Sequence, residues 1–571
     1  MKTIHWLFLL CAALTLSACS LYTQLPLAQP TVTLVPTVVL TTRQPTATPT
    51  PPPTPTATPG PIQINLPPSL PADLSASLRQ AIKPPADGRL VFADKAASAD
   101  VVFTTTQSLS STLVAEWVYA VAVPFPTFAD VVTSTLISQF WNGQPDALSL
   151  ITNNGSAPTL FVTTDTLRAL TGFFGRAPAP GVPVQLVAPD KLAEVVWAAR
   201  PAAWAIVPFD QLDPRLKVLS LDGVSLLHRN GNNDYWLKIR VTLLPPKRGA
   251  ETIQSFLKNK PLTNRDESRM TILAMTGVTA LTRTTAWQME RKGVLYPALK
   301  IRDWLTSADV VHISNEVSFW EDCPPPATEG MIFCSAPKYT QIITDIHTSI
   351  VELTGNHLND YGWEPLSYTL GIYNRLGIPY FGGGRTITEA QQAVTLTHNG
   401  NLLGFVGCNP VGPQIDWVNG MDDGRPGSAP CDDAVMQAEI KKLRTAGALP
   451  IATLQYFEFY DYPPTPQQIE DFRKLIDFGA TIVSGSQGHH PQGFDFYSSG
   501  FIHYGVGNLF FGDQDLPGTH ETFVDRYLIY KNRLLSVELL TGFIEDYSQP
   551  RPMTPTERRA FLQTIFKASG W

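Results

Sequence analysis

Between residues 354 and 362 the chain reads Thr-Gly-Asn-His-Leu-Asn-Asp-Tyr-Gly, so Asn356 and His357 are adjacent and Asp360 follows three residues on. An amide oxygen and an imidazole nitrogen are both competent ligands for a divalent cation, and a carboxylate behind the imidazole can orient it and fix its tautomer. The same residue types also open helices, where Asn or Asp caps the first turn and the His is an ordinary surface residue. Eight of the ten histidines lie at or beyond His312, which concentrates potential ligands and acid–base groups in the C-terminal half. Two further segments carry such groups. One is Ser486-Gln487-Gly488-His489-His490; the other is Glu458 within the aromatic run Tyr456, Phe457, Phe459, Tyr460 and Tyr462. That run is expected to form a local core, with a stacking surface as the alternative.

The elements that would position these residues must be found in a long chain of mixed composition. At 571 residues it exceeds one hydrophobic core, and 44% hydrophobic against 16% charged residues suits packed globular units. A net charge of −7 and a pI of 5.8 offer no basic footprint, so nucleic acid is not expected as a partner. Met1-Lys2, an apolar run from Ile4 to Leu16 and then Ser17-Ala18-Cys19 read as a signal segment over 1–19. Its end resembles the bacterial lipobox, which implies lipid attachment at Cys19 and an extracytoplasmic protein held at the cell membrane by acyl chains. No later stretch has the apolar length of a spanning helix. Residues 20–68 are dominated by Thr and Pro, cannot bury apolar surface and read as an extended stalk. Cys323, Cys334, Cys408 and Cys431 remain for disulfides in an oxidising compartment. Local pairing, 323 with 334 and 408 with 431, is preferred among the three connectivities.

From 69 to 247 strand-like runs such as Val118–Val123 and Trp204–Val207 alternate with helical patterns, which predicts a smaller α/β unit. Its Ala122-Val123-Pro124-Phe125-Pro126 and Ala203–Phe209 segments resemble the solute-binding proteins of the phosphate type. That resemblance implies a periplasmic-binding-protein-like domain, in which Thr104–Ser108 would hydrogen-bond an anion. Residues 248–269 are polar and read as a connector. Residues 546–571 read as a helical tail, opened by Thr554-Pro555-Thr556-Glu557 and expected to pack on the outside.

Residues 270–545 resemble the CapA family of poly-γ-glutamate capsule synthesis proteins. The resemblance is carried in order by the strand Met270–Thr276 with Gly277 and Arg283, by Ala308-Asp309 followed by Asn315-Glu316, and by Asn356-His357 with Asp360 and Gly362. It continues through Gly377–Arg385, Ser486–Gln492 and Tyr504–Phe511. It implies a metallophosphoesterase-like αββα sandwich, hence an α/β fold throughout, with the motif loops gathered at one edge. The family pattern also implies a two-metal site, which needs a bridging carboxylate. Val278 stands where that Asp is expected, Gln455-Tyr456-Phe457 where His-Trp-Gly is expected, and Ser486 where the first His of Gly-His-x-x-His is expected. What the resemblance leaves is a reduced site of Glu316, Asn356, His357 and His489, holding at most one divalent metal (Mn, Fe or Zn). Asp360 and Glu458 stand behind these ligands, His357 and His489 are the candidate catalytic groups, and His490 and His503 are spare imidazoles. The implied function is synthesis, export or attachment of an envelope polymer, with that polymer or its synthesis machinery as partner. A metal-dependent phosphoesterase-like hydrolase and a non-catalytic anion- or polymer-binding protein are the alternatives, so enzymatic activity stays open.

Overall fold

The computed structural model describes residues 60–571 except 83–88, 106–110, 230–233, 250–252, 254–260, 419–423, 513–514 and 517. The expectations for the signal segment, for Cys19, for most of the stalk and for Thr106–Ser108 therefore lie outside the described residues. Gly60–Trp571 is one compact unit, so the segments 69–247 and 270–545 are not separate bodies.

In the C-terminal half two sheets face each other. The first runs in the order Tyr380–Phe381, Ile350–Glu352, Val310–Asn315, Met270–Thr276, Glu521–Tyr530, Arg533–Glu545, Gln549–Pro552. Met270–Thr276 pairs parallel to Val310–Asn315 and antiparallel to Glu521–Tyr530. The second runs Val394–His398, Asn401–Cys408, Leu449–Gln455, Ile482–Ser486, Gly500–His503, Phe494–Tyr497. Strand alternation sends every second side chain into the gap between the sheets. Leu273, Met275, Ile350, Phe405, Ile451 and Ile482 meet there as one buried cluster. The intervening residues Ala274, Ile313 and Val351 face outward onto Leu366, Leu370 and Tyr373 of the helix Trp363–Leu376. On the other side, Val406, Ala452 and Val483 face Met436 and Ile440 of Asp433–Thr445 and Phe472 of Pro466–Asp477. The layers are helix, sheet, sheet, helix. The parallel strands are buried on both faces, as their continuous apolar sequences require.

The N-terminal part is built on a mixed ten-stranded sheet. Its axis is the long strand Thr112–Pro124, antiparallel to Lys238–Leu243 and to Ala203–Pro208. Its core runs without a break into the C-terminal half, since Met270, Ile272, Leu528, Tyr530 and Leu535 belong to the same buried cluster. The closing helix Pro555–Ala568 opens on a capping box between Thr554 and Glu557. It packs on the outside, with Arg559, Gln563, Thr564 and Lys567 exposed on its outer face. Its Phe561, Leu562, Ile565 and Phe566 enter the inter-sheet cluster beside Phe125 of the N-terminal part. Four apolar residues on one face and polar residues on the other make it an amphipathic cover for the core. Cys323 is bonded to Cys334, and Cys408 to Cys431. Among the described residues no helix is long and apolar enough to cross a membrane.

Candidate functional site

The site forms where strands of both sheets end side by side. Glu316 follows Val310–Asn315 and is anchored by its backbone N–H on the Thr279 carbonyl at 3.0 Å. Its carboxyl is buried, and Oε2 has no hydrogen-bond partner among the described residues. The segment carrying Asn356 and His357 passes directly over Glu316. A Cβ on Gly355 would lie 2.7 Å from the Glu316 Cα, so only glycine permits the approach. His357 donates from Nδ1 to Asp360 Oδ2 at 2.7 Å, and the same oxygen accepts the Phe333 N–H at 2.6 Å. The Phe333 ring lies 4.3 Å from the imidazole, centre to centre. Neither Asn356 nor Asp360 caps the following helix, because Trp363–Leu376 starts at Gly362 without a side-chain cap bond. The helix-cap alternative is thereby removed.

From the second sheet, the turn after Ile482–Ser486 brings in His489, held at φ 47°. It donates from Nδ1 to Asn508 Oδ1 at 2.8 Å, which leaves Nε2 to face the site. That nitrogen is 3.9 Å from Glu316 Oε1 and 3.9 Å from Glu458 Oε1. Tyr460 donates to the other Glu458 oxygen at 2.8 Å. Gln455 and Ser486 form a hydrogen-bonded chain: the Ser486 hydroxyl donates to Gln455 Oε1 at 2.7 Å, and Gln455 Nε2 donates to Asn356 Oδ1 at 3.2 Å. Val278 is fully buried with Ala280, Val317, Phe333 and Phe511, an apolar cluster where a bridging carboxylate was expected.

The electrostatics follow from this packing. Burial pushes the Glu316 carboxyl upward, and the nearby His489 and His357 only partly offset it. For His357 burial acts to lower the pKa, but the bond from Asp360 and the charge of Glu316 outweigh it and the imidazole is shifted up. Asp416 was not foreseen. It is pushed up to about 7 by burial and by the charge of Asp360, against the Asn359 N–H that Oδ1 accepts at 2.9 Å. Asp416 sits inside the loop closed by Cys408 and Cys431, and no local pattern marks it. Asn508 lies in the recognised Tyr504–Phe511 segment, and its pairing with His489 could have been sought there.

The spare imidazoles lie elsewhere. His503 faces Asp525 Oδ2 at 2.5 Å in the interior, and His490 turns to the Pro491 carbonyl at 2.8 Å. His312 is buried within its strand. Of the expected metal ligands, Glu316, His357 and His489 contribute to one site, while the Asn356 oxygen is already taken by Gln455. The donor types suit a cation, but among the described residues no three His, Cys, Asp or Glu side chains are grouped so as to hold one. The residues as placed do not fit a metal centre. The aromatic run is a local core only at its two ends: Tyr456 is buried and Tyr462 half-buried, whereas Phe457, Phe459 and Tyr460 are exposed beside Glu458. Tyr456 finds apolar cover against Phe472, and Tyr462 packs on the inter-sheet cluster.

Two facing sheets with helices outside, and His and carboxylate loops at the strand ends, define a four-layer α/β protein with its site at one edge. Residues 272–513 match the model of the family described as bacterial capsule synthesis protein PGA_cap. The capsule biosynthesis protein CapA of Bacillus anthracis is 24% identical over 304 residues, 52% of this chain and 72% of that one. A probable polyglutamine synthesis accessory protein of Mycobacterium tuberculosis is 25% identical over 228 residues, 38% of this chain and 59% of its own length. A solved ABC-type phosphate transport receptor from Vibrio cholerae aligns with 35% of this chain and 94% of its own at 14% identity. Its TM-score of 0.28 is too low to assign a fold or a ligand.

Proposed function

We propose that this chain acts in the biosynthesis of an envelope polymer of the poly-γ-glutamate capsule type, as a protein that binds the polymer during its synthesis, export or attachment. The observation that carries this reading is the convergence of Glu316, His357, His489 and Glu458 from both sheets within a region that matches the capsule synthesis family. Binding is favoured over phosphoester hydrolysis. Val278 removes the carboxylate that two cations would share, and the Gln455–Ser486 chain ties up the Asn356 oxygen. The His357–Asp360 and His489–Asn508 pairs then act as fixed posts, each presenting Nε2 to the ligand with its tautomer set from behind.

Lipid attachment at Cys19, with the folded part held outside the membrane on the Thr/Pro-rich stalk, completes the proposal. Deleting the gene in the native host should abolish or reduce surface polymer, and the wild-type chain should restore it. A chain carrying His357→Ala and His489→Ala should fail to restore it while reaching wild-type abundance. Full restoration by that variant removes the site from the function. Cys19→Ser should release the protein from the membrane fraction, and unchanged fractionation removes the anchor.

A further inference from the structure

The chemistry of the site narrows what part of such a polymer it takes, an inference that rests on the polymer reading above. Its carboxylates and imidazoles lie in a fixed arrangement. Glu316 Oε1 and Glu458 Oε1 both lie 3.9 Å from His489 Nε2, so two carboxylates flank one imidazole edge. Behind them His357 is held by Asp360 and presents its Nε2. Glu316 is 2% exposed, and its Oε2 has no hydrogen-bond partner among the described residues. A buried carboxylate oxygen without a donor is costly, and a ligand ammonium would supply the missing donors together with the opposite charge.

A polyanion laid across this site would meet Asp360 and Glu458 with Glu316 buried beneath them, so the repeated carboxylates of a poly-γ-glutamate chain are disfavoured there. One position in that polymer is different. In a γ-linked chain the amino-terminal residue keeps both its α-ammonium and its α-carboxylate free, a zwitterion that no interior residue possesses. Beside Glu458 the surface is apolar. Phe457 and Phe459, the two chain neighbours of Glu458, are exposed. Exposed apolar groups collected around a polar floor mark a binding mouth, and they suit the paired methylenes of each γ-linked unit.

We infer that the site reads the zwitterionic amino end of a γ-linked polyamide, with the ammonium donating to Glu316, Glu458 and the bare Nε2 of His489, and the α-carboxylate accepting from Nε2–H of His357 as the imidazolium paired with Asp360. The mouth aromatics pack against the first methylenes of the chain, and the remainder of the polymer runs out over the surface. The site therefore binds chain ends, at a stoichiometry set by the number of ends and independent of polymer length.

Calorimetric titration of the folded protein with free glutamate and three decamers tests this: γ-linked oligoglutamate, its N-acetyl form, and α-linked oligoglutamate. Acetylation removes the ammonium charge, and α-linkage consumes the α-carboxylate, so each should weaken binding at least about tenfold, as expected when a buried charge loses its partner. Glu316→Gln, which keeps size and shape, should abolish the difference between the free and acetylated decamers. Phe457→Ala should weaken the γ-linked forms without changing their ratio. Equal affinity for the free and acetylated decamers overturns the inference and leaves the polymer reading intact. Binding of free glutamate with no binding of any decamer keeps zwitterion recognition but overturns the polymer reading. No binding of any of the four ligands overturns both.

Discussion

At the scale of single residues the site depends on groups held away from their usual state. Asp416 is one whose consequence can be measured. Folded, it keeps its proton up to about pH 7, whereas an ordinary Asp releases it near 3.8. The folded state therefore binds the extra proton, and this contribution to stability is full below the unfolded pKa and lost as pH rises through 7. Asp416→Asn keeps the Oδ1 acceptor for the Asn359 N–H and removes the titration. The melting temperature of the variant should therefore fall less than that of the parent between pH 4 and pH 8; parallel curves would refute this. Glu316 is shifted in the same direction by burial, so Glu316→Gln should also raise stability at neutral pH while harming ligand binding. The incomplete donor set predicts, in turn, that protein purified without chelators carries far less than one divalent metal per chain by elemental analysis. A stoichiometric metal would overturn this reading of the site.

At the scale of elements, the loops that present these residues are set by close contacts and covalent ties. A Cβ on Gly277 would lie 1.8 Å from the Gly507 carbonyl oxygen, so the first strand can enter the site only through glycine. Gly277→Ala should cost more than about 3 kcal/mol in urea unfolding, the range of severe backbone and packing lesions. A loss below 1 kcal/mol would mean that the neighbouring strand gives way. The Cys323–Cys334 bond closes the loop that carries Met331, Ile332 and Phe333. Replacing both cysteines with Ser should cost about 3 kcal/mol by loop-closure entropy. It should also loosen the Phe333 N–H from Asp360, weakening binding as well as stability.

At the scale of the whole molecule, the N-terminal part acts as structural support for the sandwich. Asp130 takes a bidentate pair of bonds from Arg558 of the closing helix, and Lys217 lies 2.7 Å from the same carboxylate. Further ties run from Arg229 to Asp309 and from His228 to Glu538. Burial works to raise the Asp130 pKa, yet the two cations hold it down at about 2, so its contribution is present above the unfolded pKa and lost as pH falls toward 2. Residues 60–571 should therefore unfold in one calorimetric transition. Residues 270–571 alone should aggregate, with Met270, Ile272, Leu528 and Leu535 stripped of cover. Two resolved transitions, or a soluble and cooperative fragment, would show that the halves are independent.

Much of this was legible in the sequence because the responsible forces are local or periodic. Alternating apolar runs mark the strands, Thr554 and Glu557 mark the start of the last helix, and the order of motifs from Gly277 to Asn508 marks the sandwich. Asn356, His357 and Asp360 also declare their chemistry locally, since the carboxylate three residues on is the one that holds the imidazole. What the last helix covers was not legible: its apolar face is plain, but the cluster it joins includes Phe125, more than 400 residues away. Nor were Asp416 and the exposed state of Phe457 and Phe459 legible, because burial and charge depend on which distant segments meet. Residue type and spacing determined which groups could do chemistry. Only the tertiary structure decided which face one another, because a pairwise contact between strand ends is set by how two sheets stack and leaves no trace along the chain.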